Sequence, residues 1–600
     1  MNVLADAESD KDGDTAPQIA ASGTVTMAMP LGKRSREQIF RETTETYLAT
    51  LGAFGHASLP TPEELEPQLM SRIEGEFAME NMAFRADGGA GGRLMKPSSL
   101  PPIAIAMAMR KLFRIVVIRP SGTSEGEARA RGMLARYETT GPDEGLYVGR
   151  PEYMRSIVRR FSSGMSKEGA KLVFDLVRSH ADAVEPNDNP DLIAVNNGIF
   201  DFVKKELMPF SSEHVFLSKV RTNYDRNAVT SPIITNPDGT EWEIVQWTVD
   251  LFDDAERTQL LWEVLSASVR PLVRWNKAVY PFDEDGENGK GTFLVLVRCL
   301  VGAGSWVSIP IADFANKFQL AQIVNKSLVV TDENDVGSFS DKLANYKAVI
   351  TGDVITIEEK FENPYSYVPH VFVIECLNSF PKAKDTSRSH YRRQLFWPFS
   401  KSFTGSANSS IKEDYLTRRE VLEYVLHRVL HAEPFYKLSE PKASRKVLGE
   451  FKNLNDPVRA CWEDIEHQLI WDLVPTAFLY ELYVAWTERY APNGKAVGIG
   501  EFGRRIGAIV RETGHWEQGT YRPGTQMNEP ELLIERFDLR NWMNPSYTGT
   551  DPSKRCQPKL LERYRGFKRS ATWVANVDDD DDDSDLDRAL DVDCDLPAAA

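Results

Sequence analysis

Cysteine is scarce in this chain. Five occur in 600 residues, at positions 299, 376, 461, 556 and 594, with no Cys-x-x-Cys pair among them. That scatter excludes a disulfide scaffold and a zinc ribbon and fits a reducing compartment, so a cytoplasmic protein is expected. Long apolar runs are missing as well. None reaches the ~18 residues that a membrane helix requires, and the first residues lack the layout of a secretory leader, so no membrane association is expected. A surplus of positive charge is also absent: the net charge is −17. Much of the acid collects in the tails, however, which leaves room for basic patches in the middle of the chain. Nor does the stretch 36–235 hold a carboxylate pair on an apolar strand, as a two-metal nucleotidyl-transfer site would need. Asp201 follows Phe200 but has no acidic partner two residues on. His427 and His431 are four apart and share a helix face, yet no third ligand accompanies them and no zinc site is assigned.

What is present implies several domains, because 600 residues exceed a single core. Residues 1–35 are rich in acid and small residues and read as a disordered tail. Residues 36–190 read as a mostly helical domain of unknown role, with an apolar, buried run at Pro102–Arg119. The segment 191–235 alternates β-formers around an Asn-Asn-Gly turn and predicts short strands. Residues 236–405 hold the chemistry described next, and 406–450 carry helical spacing in EDYLTRREVLEYVLHRVLHA. In 451–545 a helix, a Pro-Asn-Gly turn, a second helix (EFGRRIGAIVRE) and an aromatic turn suit a winged-helix module. Its Arg504, Arg505 and Arg511 would face phosphates; the rival reading is a helical packing domain with a solvated basic face. The remainder, 546–600, ends in DDDDDDSDLDRALDVDCDL and reads as a disordered acidic tail.

The densest chemistry lies in AVYPFDEDGENGKGTF, Ala278 to Phe293. A strand-like run gives way to a glycine-rich loop and then to the helical run FLVLVRCLVG. Glycines let backbone N–H groups close around phosphate oxygens, and the helix that follows aims its positive end at them. Gly286, Asn288, Gly289, Lys290, Gly291 and Thr292 are the binding candidates, with Lys290 reaching the outer phosphates. The loop departs from the strict G-x-x-x-x-G-K-[ST] pattern at two places. Glu284 stands for the first glycine and Gly291 for the hydroxyl residue, which leaves Thr292 as the nearby hydroxyl for Mg²⁺.

Downstream, SLVVTDEND places Asp332 and Glu333 at the carboxyl end of an apolar strand, where ligands gather in open α/β sheets. There an aspartate positions Mg²⁺ and the adjacent glutamate polarises an attacking water. VPHVFVIECLN ends a second strand at Asn378, whose amide suits the lytic water or the terminal phosphate. Arg392 and Arg393 precede an aromatic strand and offer a fork for charge on a transferring phosphoryl held by a neighbouring subunit. Between the two strands, Lys347 and Lys360 bracket a Thr-Gly-Asp turn; basic residues interleaved with aromatics on a hairpin there are candidates for contact with single-stranded DNA.

In this order the motifs GENGKGTF, SLVVTDEND, KAVITGDVITIEEKFENPYSY, VIECLNSFPKAKDTS and HYRRQLFWPF resemble the superfamily 3 helicases of the AAA+ class, in particular the helicase half of phage and plasmid primase–helicases. The resemblance runs from about Leu192 to Pro434. It implies an α/β fold: an AAA+ P-loop core at 236–405, preceded by an N-terminal α+β domain and followed by a helical or winged-helix module. It further implies ATP and Mg²⁺ as cofactors, single-stranded and duplex DNA as partners, and a homo-hexameric ring. A separate primase or other replication protein would assist. Glu333, Asn378, Arg392 and Arg393 would be catalytic, Asp332 would bind nucleotide, and Thr292 with Asp332 would hold the metal. Three other readings stay open: a primase–helicase with an unrecognised N-terminal primase domain, a small-molecule kinase, since GKGT also suits that class, and a non-catalytic DNA-binding initiator or loader. No primase signature is found in the first 190 residues.

Overall fold

The computed structural model describes residues 34–570, apart from 57, 87–93, 121–122, 125, 128–130, 285, 335–342, 360–363, 382–386, 406–407 and 491–494. Lys360 therefore lies outside the described residues, as do 1–33 and 571–600; the tail expected from residue 546 begins too early, since Tyr564–Arg569 is a strand that pairs within the C-terminal sheet. The chain divides into two compact units, residues 1–114 with 155–180 and residues 115–154 with 181–600.

The first unit is helical where it is described. Its helices α1 (Arg36–Ala49), α2 (Pro62–Ala86), α3 (Pro102–Leu112) and α4 (Lys167–Arg178) follow apolar spacing that buries Ile39, Phe40, Leu65, Leu69, Ile73 and Phe77. Ser35 opens α1 with a capping box, its hydroxyl accepting from the Gln38 N–H. The Phe40 and Phe77 rings meet at 5.3 Å between centroids.

In the second unit, the sequence reading of a helical 36–190 meets short strands. Pro102–Arg119 is a helix that runs on into β1 (Ile115–Ile118), because the Ile-Val-Val-Ile run suits a buried strand better than a helix. β1 joins β2 (Met133–Tyr137), β3 (Tyr147–Val148) and β4 (Asp182–Val184) in a sheet ordered β3-β2-β1-β4. The turn-rich segment that follows forms the meander β5 (Leu192–Val195), β6 (Gly198–Asp201) and β7 (Glu206–Met208). After it come the hairpin β8 (Ile233–Thr235) with β9 (Glu241–Glu243), then helices α5 (Ile244–Asp250) and α6 (Ala255–Val269).

The centre of this unit is a five-stranded sheet of β10 (Ala278–Phe282), β11 (Trp306–Val307), β12 (Leu328–Thr331), β15 (Phe372–Glu375) and β16 (Gln394–Pro398). Its spatial order is β11-β12-β15-β10-β16 and every pairing is parallel. Parallel strands covered on both faces read as continuous apolar runs, and β10, β12 and β15 are buried throughout. Helix α7 (Lys290–Val301) returns the chain from β10 to β11, burying Phe293, Leu294, Leu296, Val297, Leu300 and Val301. Each such side chain taken fully from water contributes ~2 kcal/mol. Between β12 and β15 the chain inserts helix α8 (Ala344–Thr351) and the hairpin β13 (Ile355–Ile357) with β14 (Tyr365–Tyr367). Beyond β16 lie α9 (Ser409–Glu413) and α10 (Arg419–Leu430).

The C-terminal part has its own core around Trp462, Trp471, Phe478, Leu482, Phe502, Ile506 and Phe567. Its elements run α11 (Pro457–Ile465), β17 (Leu473–Pro475), α12 (Thr476–Tyr490), α13 (Ile499–Thr513), β18 (Trp516–Tyr521) and β19 (Tyr564–Arg569). The three strands form an antiparallel sheet ordered β17-β19-β18.

Candidate nucleotide site

Three strand tips come together at the carboxyl edge of the five-stranded sheet. Beyond β15, Leu377 forms a parallel bridge with Phe282, and the Leu377 N–H donates to the Pro281 carbonyl at 3.0 Å. On the other side the Cys376 N–H donates to the Thr331 carbonyl at 2.9 Å. The tip of β15 is thus held between β10 and β12. Asn378, exposed, emerges where Asp283 begins the glycine-rich loop, whose N–H donates to the Leu377 carbonyl.

The loop closes onto α7. Gly289 caps the helix with φ 87°, in the left-handed region, and a Cβ there would meet Leu251 Cδ2 at 2.7 Å, so both backbone and packing require glycine. Asn288 is buried, and its amide donates to Asp283 Oδ2 at 2.5 Å while its Oδ1 accepts from the Lys290 N–H at 3.3 Å. The Phe403 N–H, beyond β16, holds the Glu287 carbonyl at 2.8 Å. Gly286, Glu284 and Glu287 are exposed.

Lys290 is buried, and its Nζ donates to the Asp283 carbonyl at 2.9 Å. Burial lowers its pKa, with Asp283, Cys376 and Asp332 pulling the other way. A Cβ built on Gly291 would lie 3.8 Å from both carboxylate oxygens of Asp332 and 3.7 Å from Lys412 Nζ. So the first turn of α7 presents residue 291 to the acid of β12, while half-buried Thr292 is one residue further round the helix. Asp332 and Glu333 are both exposed at this edge.

Lys412, on α9, escaped the sequence reading because a lone lysine in a polar segment carries no signal; only the fold brings it over the loop. Asn334 escaped for the same reason. Its Nδ2 donates to Glu375 Oε2 and to the Cys376 carbonyl, both at 3.0 Å, and its Oδ1 accepts from the Ile311 N–H at 3.0 Å.

The arginines are elsewhere. The Ala278 N–H donates to the Arg393 carbonyl at 2.8 Å, and Ala278 pairs with Gln394. Arg392 and Arg393 therefore stand at the amino edge of the parallel sheet, roughly 16 Å of strand from the loop of their own chain. Arg393 is tied to Ser389, donating to its carbonyl and hydroxyl at 2.5 and 2.6 Å. Arg392 is exposed, and no side-chain partner for it is found among the described residues. Lys347 lies on α8 and not on the hairpin, because Tyr346, Val349 and Ile350 supply a helical apolar face.

On α13 the two adjacent arginines are engaged: Arg504 and Arg505 both bind Glu501, at 2.6 Å each, and Arg505 also reaches Asp456 at 3.4 Å. His427 and His431 stack at 4.2 Å between ring centroids, and His431 Nε2 meets the Tyr224 hydroxyl at 2.9 Å, a packing arrangement.

Three family models match successive parts of the chain. Residues 132–251 match "D5 N terminal like", 283–393 match a family of unknown function (DUF5906), and 453–544 match "Poxvirus D5 protein-like". The two D5-like segments are similar to the D5 primase–helicase family. The glycine-rich loop, the acid strand and the Asn378 strand all fall inside the middle segment, with D5-like segments on either side. No curated protein matches the sequence. Among solved structures, the apo NrS-1 C-terminal region (305–718) is 14% identical, with 70% of this chain and 97% of that one covered at a TM-score of 0.37. A JCV helicase structure is 16% identical, with 37% and 63% covered at 0.21.

Proposed function

We propose that this chain is an ATP-driven DNA helicase of replication, hydrolysing ATP at the interfaces of a ring and moving on single-stranded DNA. The observation that carries the reading is the meeting of the Lys290 loop, Asp332 and Asn378 at one sheet edge, with a solvent-exposed arginine at the opposite edge. The α7 N-terminus and the Gly289 turn suit a phosphate chain. Lys290, paired with a neutral carbonyl in the free protein, exchanges it for charged phosphate oxygens, a stronger hydrogen bond. Asp332, with the Thr292 hydroxyl, would hold a divalent cation at the first turn of α7, where residue 291 adjoins the Asp332 carboxylate. Such an ion supplies charge neutralisation on the triphosphate.

In this scheme Glu333 orients and deprotonates the attacking water, and Asn378 holds the terminal phosphate or that water. Lys412 adds a second cation from the same chain. Arg392, too far from its own loop, reaches the site of the adjoining subunit, which requires assembly. Lys347 and the β13–β14 hairpin contribute to the DNA-facing surface. In the C-terminal part, the succession helix, strand, two helices and two strands supports a winged-helix module. With Arg504 and Arg505 neutralised by Glu501, Arg511 on α13 is left as its candidate phosphate contact.

The test is ATP hydrolysis by the purified full chain, with and without single-stranded DNA, for wild type, Lys290→Ala and Glu333→Gln. DNA-stimulated turnover that both variants lose by about 100-fold or more supports the reading. Turnover stimulated by a nucleoside monophosphate would show a kinase instead. Absence of turnover in the wild type would show a non-catalytic loader.

A further inference from the structure

Beside the candidate site lies a carboxyl group that the scheme above does not use. Glu375 ends β15 and is fully buried. It pairs across the sheet with Thr331, the last residue of β12, one position before Asp332. Its Oε2 accepts from Asn334 Nδ2 at 3.0 Å. That same amide also bonds the Cys376 carbonyl at 3.0 Å, and its oxygen holds the Ile311 N–H at 3.0 Å. Asn334 is therefore fastened at three points, and Glu333 stands next to it in the chain.

A buried acid is costly unless it has a role or a partner. Burial pushes the Glu375 carboxyl up to about 8, against the opposing pull of the Asn334 and Thr331 side chains. The Tyr280 and Tyr346 hydroxyls, bonded to each other at 2.8 Å, sense it from β10 and α8, and Cys376 adjoins it on β15. An apolar residue would fill this position at lower cost, yet could not accept the Asn334 amide.

We propose that Glu375 is a positioning residue that acts through Asn334, locking the turn that carries Asp332 and Glu333 into the geometry needed for hydrolysis. The proposal rests on the ATPase reading and adds to it. It assigns β15 two tasks: Asn378 faces the phosphates, while Glu375 holds the acids of the neighbouring strand in place. Nucleotide binding rests mainly on the loop and α7, with Asp332 acting on it through the cation, so the larger effect falls on hydrolysis.

The experiment compares Glu375→Ala, Glu375→Gln, Asn334→Asp and Glu333→Gln in steady-state ATP hydrolysis and in equilibrium binding of a fluorescent ATP analogue, with circular dichroism as the check on folding. Glu375→Ala is expected to lower kcat by about 100-fold, the scale of a ~1 Å misplacement, with analogue affinity within about threefold of wild type. Glu375→Gln keeps an acceptor oxygen and is expected to restore kcat to within about fivefold of wild type. Asn334→Asp, which loses the donor but not the shape, is expected to behave like Glu375→Ala. A folded Glu375→Ala with near wild-type kcat overturns the proposal, as does a loss of affinity that matches the loss of kcat. Unfolding of Glu375→Ala together with a fully active Asn334→Asp assigns Glu375 to packing alone and overturns it too. Absence of turnover in the wild type would instead overturn the ATPase reading itself, and full turnover in Glu333→Gln would overturn the role of Glu333; either outcome is distinct from a failure of the Glu375 proposal.

Discussion

Gly291 occupies the position at which the strict phosphate-loop pattern places a hydroxyl, and Gly291→Ser restores it. A Cβ at this residue meets Lys412 Nζ at 3.7 Å and the Asp332 oxygens at 3.8 Å, ordinary contact distances, so the change brings no overpacking. Residue 291 is in the first turn of α7, where serine is at least as favourable as glycine, by about 0.5 kcal/mol in helices generally. The new Oγ extends from the Cβ towards the Asp332 carboxylate and can share a cation with it. One additional oxygen partner of ordinary strength contributes about 1 kcal/mol, which is roughly a fivefold tighter Mg²⁺ half-saturation. The assay is steady-state ATP hydrolysis titrated with Mg²⁺, with the melting temperature of the nucleotide-free protein as control. In the same titration Thr292→Ala should weaken Mg²⁺ dependence in the wild-type background and do so less in the Gly291→Ser background. An unchanged Mg²⁺ half-saturation in a folded, active Gly291→Ser protein would show that residue 291 does not face the cation, and the geometric reasoning would fail.

Two further expectations follow from the sheet. Arg392→Ala should abolish turnover while leaving nucleotide binding intact, and mixing it with Lys290→Ala should return part of the activity through hybrid interfaces; Arg393→Ala, which loses contacts to Ser389, should be milder, and the reverse ranking would count against Arg392 as the trans-acting group. The raised Glu375 pKa sets a pH signature on stability: below about 4.5 the carboxyl is neutral folded or unfolded. From there to about 8 only the unfolded chain ionises, so wild-type stability falls as pH rises. At ~1.36 kcal/mol per pH unit, Glu375→Gln should gain up to about 3 kcal/mol over wild type by pH 7, read as a widening gap between urea midpoints; a gap that is constant from pH 5 to 8 would refute the assignment.

How much of this could be read from the sequence follows from the range of each signal. The loop is legible because a buried strand, closely spaced glycines, one of them (Gly289) left-handed, a lysine and an apolar helix are adjacent in the chain, and β10 through α7 are local structure. The apolar runs ending at Asp332 and Asn378 were legible as strands for the same reason. Their neighbourhood was not, since the order β11-β12-β15-β10-β16 is decided by packing across long separations. Lys412 and Asn334 acquire meaning only through that order. Glu375 passed as one more residue of an apolar strand, because nothing in Phe-Val-Ile-Glu-Cys announces that its acid is fully enclosed. Lys347 was placed on a hairpin because aromatics and β-branched residues follow it, while the helical spacing of Tyr346, Val349 and Ile350 prevails locally.

The parallel register of β10 with β16 has a mechanical meaning. The strand that ends at the phosphate loop begins hydrogen-bonded to the backbone of Arg393, so cradle and arginine occupy the two ends of one stiff plank. In the proposed ring, a subunit on its own would point them in opposite directions and complete no site. Turnover per chain is then expected to climb with protein concentration, and a displacement imposed at one interface of that ring would reach the next as a rigid tilt, passed from plank to plank.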